Sequence, residues 1–423
     1  MPQTSQPSSP TARSSRSPLL LMALTVLIDF TGFGVIIPLL PFWAEHLGAN
    51  AVEVGLIITV YSLAQFIFLP VLGRFSDRFG RRSIILWSLV IETISLALTA
   101  LSGSLVMLLA ARFIGGMGAA NLGTAQAVVS DTTTPAERAK GMGFIGAAIG
   151  LGFVLGPAIG GGLATLGLTA PFWFAAGVAL INAALVFFLL PETRPAQVAS
   201  AVDAPARPQA GFVAGLLETL RSPAVARLIA VNLLYTLAFT AMEAMFPLFS
   251  QREFGWGATQ NAYVFVFVGV IMVIVQGGLV GRLSKLWGVQ TLLVIGLALL
   301  AAGLLLLPLG TTLAVMLIAV GVLSVGSGAV SSMSSALASL ASPDETQGQT
   351  LGVIQSSGGL GRVLGPVAAG WAFAAAGAGA PFVIGGVLAA LALLVALPRI
   401  PLQHHNESGA EQRAQTRELA EAR

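Results

Sequence analysis

The chain has 423 residues, of which 56% are hydrophobic and only 9% charged, with 21 Lys/Arg, 18 Asp/Glu and a mean hydropathy of +0.87. A soluble globular chain carries roughly 25% charged residues, so these few cannot build a water-facing surface, and a soluble enzyme, a nucleic-acid-binding protein and a disordered chain are excluded. Long uninterrupted apolar runs, together with 49 Gly suited to close helix packing, point instead to an all-helical integral membrane protein rather than a barrel of short alternating strands.

Residues 1–18 are rich in Ser and Pro and carry Arg13 and Arg16. They read as a cytoplasmic tail rather than a signal peptide, because the apolar run that follows is long enough to span and lacks a small-residue cleavage site. A span needs about 20 mostly apolar residues. Twelve segments qualify, near 19–41, 54–72, 83–102, 105–129, 141–164, 171–190, 226–249, 261–281, 290–308, 313–338, 350–374 and 380–398. The one long break contains Pro191, Pro195, Pro205, Pro208 and Pro223. The organisation predicted is a tail (1–18), a six-helix bundle (19–195), a linker (196–225), a second six-helix bundle (226–398) and a C-tail (399–423). With both termini cytoplasmic, 18 of the 21 Lys/Arg lie on the inner side, as the positive-inside rule requires. Trp43, Trp173 and Trp256 then fall near outer span ends and Trp87 and Trp287 near inner ones. With no Cys, there is neither a disulfide nor a thiolate metal site.

The two sets of six spans resemble each other. Residues 150–161 read GLGFVLGPAIGG and residues 359–370 read GLGRVLGPVAAG, and eight of the twelve positions match. GRFSDRFG at 73–80 recurs as GRLSKLWG at 281–288, and Pro135 and Glu137 recur as Pro343 and Glu345. Six spans separate the copies, so both halves enter the membrane with the same orientation. Such a parallel repeat places a binding site between the halves near the midplane.

Four stretches carry chemistry. Asp29 lies about ten residues into span 1, in DFTGFGVIIP; a charge there costs ~2.5–3.5 kcal/mol on insertion scales, so it faces the interior with a task. Arg112, in span 4, is its natural partner. The loop after span 2 reads Gly73-Arg74-Phe75-Ser76-Asp77-Arg78-Phe79-Gly80-Arg81-Arg82; four Arg make an inner anchor, but an anchor does not need Asp77. In span 5, Gly152, Gly156 and Gly160 share one helix face for close packing and Pro157 bends the helix; Gly365 and Pro366 are the copies in span 11. Three further charges lie within spans. Glu92 is in span 3; Glu243 lies beside Met242, Met245 and Phe246 in span 7, a soft surface able to accept varied apolar ligands; Arg362 is in span 11. Gln276, in span 8, joins the candidate substrate contacts. Glu92 is either a proton carrier or a neutral acid hydrogen-bonded to a neighbouring helix, and Arg362 either holds an anionic group of a substrate or pairs with Glu243 or a backbone carbonyl.

These motifs resemble those of the major facilitator superfamily. The 73–82 stretch is similar to its loop 2–3 signature, span 5 to the G-x-x-x-G-P-x-x-G-G of its drug/proton antiporters, Arg112-Phe113-Ile114-Gly115-Gly116 to its span 4 signature, and the Asp29 segment to the tetracycline-exporter branch. Pro191-Glu192-Thr193-Arg194 closes span 6 as in many relatives. The resemblance implies two pseudo-symmetric six-helix bundles that rock about a central cavity and export drugs against a proton gradient. Asp29, Arg112, Glu92 and Glu243 would couple protons, and Glu243, Met242, Met245, Phe246, Arg362 and Gln276 would meet the substrate. It also implies a conformational latch of Gly73, Asp77, Arg78, Gly80, Arg81 and Asp131, in which Asp77 meets a helix N-terminus of the opposite half and its basic neighbours meet Asp131. The alternative to the latch is a plain anchor, and the alternative to coupling is a static Asp29–Arg112 pair. The pattern departs from the tetracycline exporters at Ser95, Met272 and Leu300, where those carry polar or charged groups, so the cargo stays open between amphiphilic drugs and a metabolite such as a sugar, organic acid or lysolipid. No nucleotide-binding, metalloprotease or serine-hydrolase motif is present; no cofactor or metal is expected, the partners are substrate, protons and the bilayer of the inner membrane, and a monomer suffices. A non-transporting scaffold would not need the intramembrane charges. His46, His404 and His405 read as loop and tail residues.

Overall fold

A computed structural model describes residues 16–119, 122–133, 135–193, 222–342 and 347–398. Most of both tails and of the linker, with His404 and His405, therefore lie outside the described residues, as do Pro343, Glu345 and the side chains of Pro135 and Glu137. The described part is helical throughout. The helices are α1 (Arg16–Ile36), α2 (Leu40–His46), α3 (Ala51–Phe79), α4 (Arg81–Leu101), α5 (Leu105–Gly118), α6 (Leu122–Thr132), α7 (Pro135–Leu163), α8 (Ala170–Leu189), α9 (Pro223–Phe254), α10 (Ala258–Ile274), α11 (Val280–Trp287), α12 (Val289–Leu306), α13 (Leu313–Leu340), α14 (Gln347–Ala376) and α15 (Ala380–Ala396). Spans 1–3 are α1, α3 and α4; span 4 is α5 with α6. Spans 5–7 are α7, α8 and α9. Span 8 is α10 and α11 joined by a π-helical turn at Val275–Leu279, and spans 9–12 are α12 to α15. Ten of these segments have the length and apolarity of a membrane span, and α15 is a shorter apolar helix. The Gly- and Ser-rich α14 completes the twelve.

Local chemistry sets the ends. Asn50 caps α3, its Oδ1 accepting from the Val52 and Glu53 amides while Glu53 Oε2 accepts from the Asn50 amide at 2.8 Å, a reciprocal capping box. The same helix runs further than hydropathy predicts. Residues 73–79, expected as a loop, form its last two turns, and the chain reverses only at Gly80, whose φ of +97° puts it in the left-handed region.

The repeat expected from the sequence is a repeat of packing. Helix α1 packs on α7 as α9 packs on α14, α4 on α8 as α12 on α15, and α3 on α5 as α10 on α13. Between the halves, α3 meets α14 and α7 meets α10, which exchange under the same pseudo-twofold. Positive-φ glycines recur in matching turns: Gly48 with Gly255, Gly80 with Gly288, and Gly167 with Gly377. The glycine stripe of α7 lies against α1: a Cβ on Gly156 would stand 2.6 Å from the Thr31 carbonyl oxygen and 2.7 Å from Gly34 Cα, and one on Gly152 would stand 2.6 Å from Phe30 Cβ.

The halves touch from mid-membrane to one end. A Cβ on Gly55 would collide with the Pro366 carbonyl, one on Gly370 would meet Ala51 and Val52, and Thr59 Oγ1 donates to the Val363 carbonyl at 2.8 Å. On the other side, Thr259 Oγ1 donates to the Gly161 carbonyl at 3.2 Å, and a Cβ on Gly269 would come within 2.9 Å of the Phe153 carbonyl oxygen. Toward the opposite, basic end, Gly73, Gly143, Gly277 and Gly281 have open space where a side chain would stand. The cleft between the halves opens at the basic end.

Candidate functional site

The sealed end leaves a cavity above the cleft. It is lined by Phe33, Ile36, Ile37 and Leu40 from the end of α1 and its junction with α2, Ile58, Tyr61 and Ser62 from α3, Arg112 from α5, Thr240, Glu243 and Ala244 from α9, and Arg362 and Pro366 from α14. Counted with its open mouth, the space between these side chains is about 600 Å³. The surface is almost wholly apolar apart from three charges, and both halves contribute to it.

In the N-terminal half Asp29 and Arg112, expected as partners, each have further neighbours. Helix α1 packs on α7 and α8, whereas α5 packs on α3 and α4, so the two side chains face different neighbours. Asp29 Oδ1 accepts from Asn182 Nδ2 at 3.2 Å, and the same amide reaches the Thr25 carbonyl at 3.3 Å. Arg112 is 3% exposed. Its Nη2 donates to Thr99 Oγ1 at 2.9 Å and Ser95 Oγ at 3.2 Å, and its guanidinium lies 5.5 Å from the Tyr61 ring centre. Burial among neutral hydroxyls leaves Arg112 Nε without a partner. Glu92 links the two sites: it lies within the electrostatic reach of both Asp29 and Arg112. The arrangement is two carboxylates and one guanidinium sharing a field.

In the C-terminal half, Glu243 and Arg362 line the cavity and feel each other's charge. The expected soft surface around Glu243 is not there. Met242 is 3%, Met245 0% and Phe246 1% exposed, packed in the core of the C-terminal bundle, with Phe246 edge-on to Phe265. Among the helix neighbours of Glu243, Ala244 lines the cavity with it, whereas Met242, Met245 and Phe246 do not. Gln276 sits exposed on the π-helical turn, away from the cavity lining.

At the basic end Arg81 gathers the charges of the N-terminal half. Its Nη1 meets Asp77 Oδ1 at 2.5 Å and Ser76 Oγ at 2.9 Å, and its Nε meets Asp131 Oδ2 at 3.1 Å. Asp77 is thus bound within its own half rather than to the opposite one, because the halves are parted here and its side chain is 55% exposed. Arg78 packs over the ring of Phe79, and a Cβ added to Gly73 would meet nothing within 4 Å. Glu192, which the sequence reading quoted without a role, belongs to this cluster. Its Oε1 accepts from the Arg81 amide at 2.9 Å, and a side chain on Gly80 would collide with its carboxylate. A carboxylate at the first amide of α4 is where the helix dipole favours it. Asn182 is the other residue missed; its signal was a lone amide in the very apolar span 6.

The sequence pattern of the Major Facilitator Superfamily matches residues 22–288 and 277–422. The chain belongs to that family and is a multi-pass membrane transporter, not an enzyme. It is 30% identical to Multidrug resistance protein 2 of Bacillus subtilis (strain 168) over 287 residues, 66% of this chain and 71% of that protein. It is also 30% identical to the class B tetracycline resistance protein of Escherichia coli over 280 residues, 64% of this chain and 67% of that one. The crystal structure of the human organic anion transporter MFSD10 (TETRAN) superposes with a TM-score of 0.68 at 26% identity, covering 91% of this chain and 100% of that one.

Proposed function

We propose that the chain exports small amphiphilic compounds across the inner membrane in exchange for protons, as a monomer with both termini in the cytoplasm. The observation that carries this reading is the cavity shared by the two halves. It is sealed at one end and open at the basic end, and it has a charged wall backed by the Asp29–Glu92–Arg112 group. Because Arg112 faces the cavity while the two carboxylates lie behind it, protonating either carboxylate strengthens the uncompensated positive charge at the wall. Substrate binding and proton binding then bias the same rocking equilibrium. Alternation of the seal would use the contacts of α3 with α14 and of α7 with α10 on one side, and the Arg81 cluster on the other. One charge moved through 100 mV supplies ~2.3 kcal/mol, enough for a gradient of more than tenfold. The multidrug and tetracycline resistance relatives support export of drugs. The name of the MFSD10 structure and the cavity-facing Arg362 favour a second reading, a carrier of organic anions.

The test is proton movement in proteoliposomes loaded with a pH-sensitive dye and challenged with amphiphilic cations, zwitterions and organic anions. Expected is a substrate-triggered flux that Asp29→Asn and Glu92→Gln each abolish. Flux unchanged in both variants would remove the proton-coupling reading; a response to organic anions alone would favour the second.

A further inference from the structure

Glu243 and Arg362 are the two charges that the C-terminal half presents to the cavity. Around them the polar groups are already occupied. Thr240 Oγ1 donates to the Thr236 carbonyl at 2.8 Å, Asn232 Nδ2 to the Ile354 carbonyl at 2.8 Å and to Ser357 Oγ at 3.1 Å, and the Tyr235 hydroxyl pairs with Ser327 Oγ at 2.9 Å. Glu243 and Arg362 differ: among the described residues neither makes a hydrogen bond or an ion pair, although they lie close enough to feel each other. A carboxylate and a guanidinium that face one pocket without closing on each other leave unfilled donors and an unfilled acceptor side by side. The wall contributed by α1 and α3, with Phe33, Ile36, Ile37, Leu40 and Ile58, is apolar.

We propose that the cavity binds a zwitterionic amphiphile, its acid group on Arg362, its cationic nitrogen on Glu243 and its apolar body against the α1–α3 wall. The proposal rests on the transport reading for its purpose, but concerns binding alone. Charge complementarity argues for it. A simple cation would gain Glu243 and face Arg362 and, across the cavity, Arg112; a simple anion would gain Arg362 and leave Glu243 buried beside it without a partner; and a neutral ligand would strip water from both without replacing it. A ligand carrying both charges a few bonds apart satisfies the two residues at once, and the planar guanidinium suits a two-point grip on a carboxylate.

The experiment uses one ring system with three head groups: 2-naphthylalanine, 2-(2-naphthyl)ethylamine and 3-(2-naphthyl)propionate, titrated against the full chain in nanodiscs by calorimetry. Naphthylalanine is expected to bind at least tenfold tighter than the other two. Arg362→Gln should reverse the order in favour of the amine, Glu243→Gln in favour of the propionate, and Arg362→Lys should keep the original order. The amine binding tightest to the unaltered chain, or an order that neither substitution changes, overturns the proposal. Because calorimetry needs no proton gradient, the expected order together with an absence of substrate-triggered flux would leave the head-group assignment standing and remove the antiport reading instead.

Discussion

The basic-end turns of the two halves share a backbone and differ in chemistry. Gly80 and Gly288, with φ of +97° and +84°, make the same reversal between helices. In each half the start of the following helix is tied to the end of the last span of its bundle. Arg82 Nη2 donates to the Phe187 carbonyl in one, and Gln290 Nε2 donates to the Ala396 carbonyl at 3.0 Å in the other. Yet the first turn is held by Asp77, Arg81, Asp131 and Glu192, whereas Lys285 stands where the second copy would need the Asp. The mid-membrane charges follow the same rule: Phe153 stands at the repeat position of Arg362 and buried Leu300 at that of Glu92. The duplicated feature is packing; charge has specialised, with a guanidinium on the cavity wall backed by two carboxylates in one half and a carboxylate and a guanidinium that both line the cavity in the other.

That division can be broken most sharply at Arg112. Arg112→Gln leaves Glu92 and Asp29 without their cation, and proton-driven transport should fall by about two orders of magnitude, the scale on which loss of a proton-relay group acts. Ligand binding at the opposite wall should persist, as dye flux and calorimetry on the same preparation would reveal. Next comes a contrast between matching glycines. A side chain on Gly156 meets backbone that cannot yield, whereas one on Gly365 meets the Thr240 hydroxyl, which can rotate. Gly156→Ala should destabilise by about 1–3 kcal/mol and Gly365→Ala by less, read as the difference in Tm. A smaller effect is expected at the latch. Asp131→Asn removes one partly exposed ion pair of Arg81, worth roughly 0.2–1 kcal/mol, and should shift conformer populations a few-fold; Asp77→Asn should act alike, while Lys285→Asp in the other half should not. Since the chain has no cysteine, single cysteines introduced on either side of the cleft report this directly by labelling rate. The mildest expectation concerns the sealed end. Burial raises the pKa of Glu45, partly offset by its hydrogen bond from Gln251 of the opposite half. The protonated form is therefore favoured in the sealed state. The seal should be firmest below the ordinary carboxylate pKa of 4.5 and loosen as pH rises through the raised value, and Glu45→Gln should flatten that dependence in the same labelling assay.

Hydropathy over some twenty residues located the spans, and the duplicated Gly-Pro motif foretold the pseudo-twofold, because both are properties of one helix at a time. What stayed hidden depends on which helices are neighbours. Asp29 and Arg112 are both mid-membrane charges, and nothing in either segment says that α1 turns to α8 while α5 turns to α4. Met242, Met245 and Phe246 adjoin Glu243 in sequence, but their packing in the C-terminal bundle depends on helices that the segment does not name. The turns at 73–79 looked like a loop because they are charged, although an aqueous helix end needs no apolar run. Asn182 and Glu192 were visible as residues but not as partners.

The sealed end of the cleft is joined by Gly55, Gly370 and Gly269 lying on the backbone of the facing helix, by Gly161 against the Ala262 methyl, and by hydroxyl-to-carbonyl bonds from Thr59 and Thr259. Contact this close leaves little room for a chain of waters, so under the proposed mechanism the joint would act as an electrical insulator as well as a gate. A carrier driven by a proton gradient, as proposed above, must not short-circuit it while its carboxylates are accessible from the other side. A bulky residue at Gly55 or Gly370 would therefore do harm before it stopped transport, by letting the membrane discharge through an idle carrier.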